Sequence, residues 1–481
     1  MKTFSFNWIG ICAVVLAVLA SCKNDGVEDY EIVVPKQASA VLRTRLDKVL
    51  VDSEISRSPL LKLVLSKAAN SMGSDADNKL KQLVDDPSLM GIDFAEPVYA
   101  FVVSDELYGV SMKVDDESLL SEFVKYLNKQ GLCGKVKESN GCQWSSLLDN
   151  DIRMVYNDKV LLLMLSLGNG IKVDDKMILA LMNQKADDSF ASTLQFAKMQ
   201  ELKAEDVQVY ANLGTHRKLF GDALDGLLPK GVKPSDCEAV ASLDIRNGGL
   251  DVELKYFSSN EKVQAQIDAD WGMLQPIKGE YIDKVPKFSK MWVMAGVKGT
   301  QLLDMLKRIP KVQDALRAAE FGIDAEQMLR SIDGDVMLYS ADLEQNYGMI
   351  AQLGSTDFMK DVDSWMKSAK EYGFNLTIKG EGQYQIQGDG FDLNWAVDGK
   401  QLYFGNDAYQ PFTSQGQNRF EEEAKGALLF AFIDLSMTNQ MANSVVVKCA
   451  NTGELSIAIN MPSFPGNILK LLSGGINVDE E

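Results

Sequence analysis

Cysteine and histidine bring the most distinctive chemistry to this 481-residue chain, and one cysteine sits where its surroundings dictate a reaction. Cys22 closes the stretch Leu19-Ala20-Ser21-Cys22, directly after an apolar run from Ile9 to Leu19. Met1-Lys2-Thr3 places one positive charge ahead of that run. The run has the length of a secretory h-region and falls short of the roughly 20 apolar residues that a spanning helix needs. The small residues Ala20 and Ser21 suit a peptidase that cleaves before Cys22. Residues 1–21 therefore read as a lipoprotein signal peptide. The thiol of Cys22 is expected to take a diacylglycerol and the freed amine an acyl chain. Each buried methylene stabilises attachment by about 0.8 kcal/mol, so one chain is marginal and two or three hold essentially permanently.

No second centre of chemistry emerges. His216 is the single histidine, which excludes a His-rich zinc site, and no Cys-x-x-Cys pair exists. It stands where a strand turns into a helix, with no Gly-x-Ser-x-Gly elbow to accompany it. Gly380-Glu381-Gly382 lacks the third glycine of a dinucleotide fingerprint and reads as a turn between strands. Ile332-Asp333-Gly334-Asp335 lacks the earlier acids of a calcium loop and reads as a turn before a strand Val336 to Ser340. Asp85-Asp86, Asp115-Asp116 and Asp174-Asp175 could serve as acid and base, yet each also suits a helix cap or a loop. Glu421-Glu422-Glu423 suits a solvated helix face. Trp365 lies one residue off the apolar stripe of its helix, at the core or its edge, and Trp395 alternates with Leu393 and Val397 on one face of a strand, which suits core positions better than a glycan platform. Lipidation at Cys22 is the one site expected; no catalytic, cofactor-binding or metal-ligating residue is assigned.

Four more cysteines lie beyond the leader: Cys133, Cys142, Cys237 and Cys449. An exported protein permits disulfides. Asn140-Gly141 has the signature of a two-residue hairpin turn. That register sets Cys142 opposite Ser139 and Cys133 opposite Leu148, roughly 20 Å apart along the ladder. A disulfide needs Cα atoms within about 7 Å, so a short turn argues against the pair and a longer one would leave it open. Cys237 and Cys449 read as buried thiols.

Composition bounds the rest. Hydrophobic residues make up 46% and charged residues 24%, a globular balance. Net charge is −19; removing the leader's single Lys leaves 48 basic against 68 acidic residues, or −20. Such a chain is repelled by phosphate backbones, which disfavours nucleic-acid binding. After the leader no apolar run approaches membrane length; the longest is Ala427 to Ile433.

The elements follow in order. Residues 22–31 read as a lipid-anchored tether, and Val33 to Leu42 as extended. Helical spacing occupies Val49 to Lys67 and Lys79 to Val84. Pro97 to Val103 and Tyr108 to Val114 read as paired strands. A helix capped by Asp115 or Asp116 then carries the stripe Leu119, Phe123 and Leu127, widened by Leu120 and Val124, and stops at Gly131. Strands Gly134 to Lys137, Cys142 to Leu147, Ile152 to Tyr156 and Val160 to Ser166 follow.

The order then recurs. Val34-Pro35-Lys36 is echoed by Val285-Pro286-Lys287, and Gly91-Ile92-Asp93 by Gly322-Ile323-Asp324. Tyr108-Gly109 matches Tyr347-Gly348 at an offset of 239, where Leu119, Phe123 and Leu127 fall on Phe358, Val362 and Met366. Closing hairpins, Ala239 to Phe257 and Ser444 to Asn460, also agree. The expected fold class is α+β: two tandem, internally duplicated domains of largely antiparallel sheet with packed helices. The domains are residues 32–260 and 280–473, joined by a helical connector 261–279 and ended by an acidic tail 474–481.

The lipobox, the early Val-Pro-Lys, Gly91-Ile92-Asp93 ahead of the Pro97-Val98-Tyr99 strand, and the Tyr-Gly strand feeding an amphipathic helix resemble one family. It is an uncharacterised Bacteroidota lipoprotein family of roughly 500 residues, catalogued as a domain of unknown function. The resemblance covers nearly the whole chain, implies an envelope lipoprotein and carries over no catalytic residue. Acids after Cys22 are similar to the export signal of such lipoproteins, although Asn24 and Gly26 interrupt the run. The expectation is an outer-membrane lipoprotein of the cell envelope, membrane-bound through Cys22, that binds or scaffolds a protein or glycan partner and is not an enzyme. The alternatives are a hydrolase of envelope or dietary polymers using paired carboxylates 5–9.5 Å apart, roughly, and an assembly module presenting a sheet edge.

Overall fold

The computed structural model describes residues 28–46, 48, 87–104, 107–147, 152–166, 173–203, 206–216, 228–229, 231–246, 248–309, 312–314, 316, 324–342, 346–371, 373–388, 391–406, 413–416, 418–436 and 442–461. The signal peptide, Cys22, the helical spacing over 49–67 and 79–84, and the acidic tail lie outside the described residues. Contacts gather the described chain into two units, one of residues 28–215 and 238–253, the other of residues 216–237 and 254–461.

The first unit is an antiparallel sheet with helices packed on it. Its strands are β1 (Ala40–Thr44), β2 (Val98–Ser104), β3 (Leu107–Lys113), β4 (Lys137–Ser139), β5 (Cys142–Leu147), β6 (Ile152–Tyr156), β7 (Val160–Ser166), β8 (Val207–Asn212), β9 (Glu238–Arg246) and β10 (Gly249–Phe257). The division between units falls inside β10, after Glu253. Pairing gives the order β4-β5-β6-β7-β3-β2-β1-β8-β9-β10. Asn140 and Gly141 both take positive φ, 54° and 73°, the signature of a type I′ turn. Ser139 therefore faces Cys142, and Cys133 bridges Leu147, one residue from the expected Leu148. The same turn corrects the strand expected at Gly134 to Lys137: the residues able to pair with Cys142–Trp144 are Lys137–Ser139.

The helix Glu117–Lys129 is capped by Asp116, whose Oδ1 accepts the Ser118 and Leu119 N–H groups at 2.8 and 3.0 Å. Beyond it Gly131 takes φ 73°, as a left-handed C-terminal glycine should. The buried stripe centres on Leu120 and Val124, with Phe123 and Leu127 half-buried against the core, so it lies one residue round from the expected Leu119–Phe123–Leu127 line. Gly91 supplies the reason. It has φ 71°, its carbonyl accepts the Asp115 and Asp116 N–H groups, and a Cβ there would lie 2.5 Å from the Leu120 nitrogen. That close approach turns Leu120 inward onto Met90, Phe94, Met112 and Met154.

The second unit contains β11 (Leu274–Gln275), β12 (Met291–Lys298), β13 (Ile332–Ser340), β14 (Tyr347–Leu353), β15 (Asn375–Gly380), β16 (Gln383–Gly388), β17 (Phe391–Asp398), β18 (Gln401–Gly405), β19 (Leu429–Asp434), β20 (Ser444–Cys449) and β21 (Glu454–Asn460). Its order is β15-β16-β17-β18-β14-β13-β12-β19-β20-β21, all antiparallel, with β11 added beside the end of β12. Place by place, each strand number is eleven higher than in the first unit. The helix Val362–Glu371 buries Val362, Trp365 and Ala369 against this sheet, and Trp365 stacks on Phe358 at 6.2 Å. Trp395 is fully buried and stacks on Tyr384 at 4.2 Å. The connector is the helix Glu261–Trp271 followed by β11, helical for little more than half its length.

Two further expectations are corrected. Ile332-Asp333-Gly334-Asp335 is not a turn before a strand but the start of β13 itself, with a register shift between Ile332 and Val336 and φ 142° at Gly334. Four steps on β13 there oppose two on β14, and a Cβ on Gly334 would meet the Gln352 side chain at 2.0 Å, which is why glycine stands at the irregularity. The segment Val33 to Leu42 is not extended throughout. A helix occupies Asp29–Ile32, a turn follows, and the strand begins at Ala40. Glu28 to Glu31 thus belong to the fold, inside the stretch expected to be tether.

Candidate functional site at the junction of anchor and fold

The residues that follow the Cys22 motif are stitched to the first unit over most of their length. Glu28 and Glu31 form a reciprocal capping box around the short helix Asp29–Ile32, with the Glu28 N–H donating to Glu31 Oε2 at 3.0 Å. Tyr30 is buried, its ring tilted against Tyr99 at 6.0 Å, and its carbonyl accepts the Ser111 hydroxyl at 2.5 Å. Tyr99 donates its hydroxyl to Glu31 Oε1 at 2.5 Å and accepts Arg43 Nε at 3.1 Å, while Arg43 Nη1 donates to Gln208 Oε1 at 3.1 Å. This chain of hydrogen bonds links residue 31 to β2, β1 and β8. Further along, Gln184 Nε2 donates to the Ile32 and Val34 carbonyls, the Phe190 N–H to the Val34 carbonyl at 2.8 Å, and the Lys36 N–H to the Asp188 carbonyl at 3.1 Å.

Charge is concentrated at the start of the segment. Lys113 Nζ lies 2.8 Å from Glu28, 3.8 Å from Glu96 and 3.9 Å from Asp93, and Lys159 Nζ lies 2.6 Å from Asp29. One ammonium thus serves three carboxylates. Burial pushes Glu96 above the usual carboxylate range, Lys113 opposes that shift, and Asp93 and Glu28 reinforce it. Burial works against the charged form of Lys113, yet Glu28 and the other acids hold it above its ordinary value. The phenols of Tyr30 and Tyr99 are raised by burial and then by Glu31, so both stay protonated. These groups have the partners of a clasp: Lys113, Lys159, Tyr99, Arg43 and Gln184 each donate to an acceptor in the fold.

The residues singled out by sequence are scattered. Cys22 and Asp85-Asp86 lie outside the described residues. His216 ends a turn after β8 and is half-buried. Asp116 and Asp174 are helix caps, Asp174 accepting the Met177 N–H at 2.7 Å. Gly380-Glu381-Gly382 turns between β15 and β16, with Gly382 at φ 63°. Glu422 and Glu423 are exposed. Cys133, Cys142, Cys237 and Cys449 are buried thiols outside any disulfide. Burial raises the first two and the last above the ordinary thiol value, Cys449 to about 11, which suppresses the reactive thiolate. Among the described residues no group of three or more His, Cys, Asp or Glu side chains is arranged to hold a metal.

Two features lacked a sequence signal. Asp335 is fully buried, and its carboxylate accepts the N–H groups of Lys278, Gly279 and Glu280 at 2.9, 2.7 and 2.8 Å. It fastens the segment leading to the buried Tyr281 and Val285. An open cavity of about 350 Å³ beside the start of the helix Gly299–Leu306 is lined by Lys298, Thr300, Gln301, Arg330, Asp333 and Ser355 among others. Its cations Lys298 and Arg330 are accompanied by the acid Asp333.

Fold and site together define a two-unit α+β protein of antiparallel sheets, with a clasped N-terminal segment. The chain belongs to the family described as "Domain of unknown function (DUF4836)", whose model matches residues 30–424. The match begins at Tyr30, within the clasp. No curated protein matches. Among solved structures, crystal form III of TP0453 is similar at 12% identity over 51% of this chain and 87% of that one, with a TM-score of 0.31. Crystal form IV gives 13% identity over 48% and 81%, with a TM-score of 0.30. A DNA polymerase sliding clamp from Pseudomonas aeruginosa aligns over 76% of this chain and 89% of that one at 8% identity and a TM-score of 0.10. Scores at this level carry no argument.

Proposed function

We propose that this protein is a lipid-anchored protein of the bacterial cell envelope, held at the outer membrane through Cys22, which binds or scaffolds a partner and does not catalyse a reaction. The observation that carries the reading is the clasp. Glu28, six residues after a cysteine in a complete lipobox, is already held in the first unit. A leader that ends this few residues ahead of a folded segment suits an anchored protein. The partner is a protein or glycan of the envelope, and the surplus of acidic residues disfavours nucleic acid. Outer-membrane placement draws on the resemblance to Bacteroidota lipoproteins. Of the acids after Cys22, Glu28 and Asp29 are paired with Lys113 and Lys159.

The two units are read as an internal duplication. In its support, the strand orders agree at all ten places, Tyr30 and Tyr281 are both buried ahead of a Val-Pro-Lys, and the Leu163–Val110 pair maps onto the Tyr403–Ile350 pair at an offset of 240. Two related units suit display of two related surfaces. Fractionation of cells carrying the wild type or Cys22→Ala tests the anchoring. The wild type is expected in the membrane fraction and the variant in the soluble one; retention of the variant in the membrane would sink the reading.

A further inference from the structure

Lipid attachment by itself leaves a protein free to drift from the bilayer by the length of its tether. Here that length is set by where the clasp begins. Five residues, Lys23 to Val27, separate Cys22 from Glu28. At a maximum of about 3.5 Å per residue, the six steps from Cys22 to Glu28 span at most about 20 Å. Glu28 itself is fixed: its carboxylate pairs with Lys113 at the end of β3, its neighbour Asp29 pairs with Lys159, and Tyr30 is buried against Tyr99. Lys159 precedes β7 and Lys113 ends β3, so both mark one end of the first unit's sheet.

We propose that this end of the first unit is the membrane-facing surface of the protein. The clasp at Glu28–Lys36 acts as a leash stop that keeps the β3 end and the β6–β7 turn within about 20–25 Å of the headgroups to which Cys22 is attached. The partner of this surface is the lipid bilayer itself. The inference rests on lipidation of Cys22 and adds the orientation that lipidation alone does not give. Charge sets how the surface meets the membrane. Lys113 and Lys159 are each paired with acids of the clasp, Asp93 and Glu96 lie 3.9 and 3.8 Å from Lys113, and the exposed Asp158 stands next to Lys159. An acidic face is repelled by anionic headgroups and does not lie flat on them. The short leash therefore holds the first unit close without adhesion.

The test is energy transfer from a fluorophore on Asp158→Cys, an exposed position next to Lys159, to acceptor lipids in vesicles carrying the lipidated full-length protein. The four native cysteines beyond Cys22 are buried, so labelling is confined to the new thiol. Transfer is expected to be strong. A Gly-Ser insert of about twenty residues between Gly26 and Val27 adds an r.m.s. reach of about 25 Å and is expected to reduce transfer severalfold. This insert leaves every clasp contact in place. Tyr30→Ala, which removes the buried ring of the clasp, is expected to lower transfer in the same direction. Weak transfer from the membrane-bound wild type, or transfer unchanged by the insert, would overturn the orientation while leaving the anchoring intact. A wild type that does not partition to vesicles at all would overturn the anchoring on which the orientation rests.

Discussion

Tyr99 is where a single hydroxyl ties three strands to the start of the fold. It donates to Glu31 and accepts from Arg43, and it is nearly fully buried. Tyr99→Phe keeps the ring packing against Tyr30 and leaves Glu31 and Arg43 each without one partner. The expected cost is about 1–3 kcal/mol, the range for a buried hydrogen bond to a charged group, read from the midpoint of urea unfolding. Asp335 is a harsher case. Asp335→Ala would leave three backbone N–H groups unpaired beside the Tyr281 core, and a loss on the order of 3 kcal/mol or more is expected, while Asp335→Asn keeps an acceptor and should lose less. Asp434 gives a pH signature. The Ser436 hydroxyl and N–H, at 2.6 and 2.9 Å, and Lys290 at 3.1 Å hold its carboxyl at about 2, below the ordinary 3.8. A depressed folded value means that the stabilisation is fully present above the unfolded value and is lost as pH falls from about 4 towards 2. With part of the side chain exposed, about 1–2 kcal/mol is expected. Asp434→Asn should remove that slope from a pH series of unfolding midpoints.

At the scale of elements, local chemistry was legible and long-range docking was not. Asn140-Gly141 announced its turn, and with it the register that sets Ser139 opposite Cys142. The strands Cys142–Leu147, Ile152–Tyr156, Val160–Ser166, Ser444–Cys449 and Glu454–Asn460 lie where alternation and turn residues put them. Trp395 lies in the core as its alternation with Leu393 and Val397 implied, and Trp365, one residue off its expected stripe, lies there too. The clasp was hidden because its partners are Tyr99, Ser111, Lys159 and Gln184, all distant in sequence, and nothing local distinguishes a docked acid from a solvated one. The repeated Tyr-Gly was visible, but its cause was not. Phe101 lies over Gly109 across the β2–β3 pair, and Tyr339 lies over Gly348 across the β13–β14 pair. A Cβ would meet those rings at 2.1 and 2.3 Å. Gly109→Ala and Gly348→Ala should each displace a ring and destabilise the fold by about 1–3 kcal/mol, measurable as a fall in Tm, and a variant that unfolds like the wild type would show that the ring is not seated there. The hairpin also decides the thiols: Cys133 faces Leu147 rather than Cys142. After oxidative purification, denatured protein should titrate four thiols beyond Cys22; a loss of two would contradict the register.

For the whole molecule, two units with matching strand orders, buried thiols and no described reaction centre leave the N-terminus as the place where chemistry meets structure. In the function proposed above, Cys22 supplies the bond and the clasp supplies the boundary. The measurement that bears most directly on this is mass spectrometry of the N-terminal peptide from membrane-extracted protein. An anchored lipoprotein gives a peptide that begins at Cys22, carries a diacylglycerol mass on its thiol and an acyl mass on its amine, and is absent from Cys22→Ala cells. A peptide that retains residues 1–21, or one that begins at Cys22 with an unmodified thiol, would contradict the anchoring and with it the membrane-facing role of the first unit.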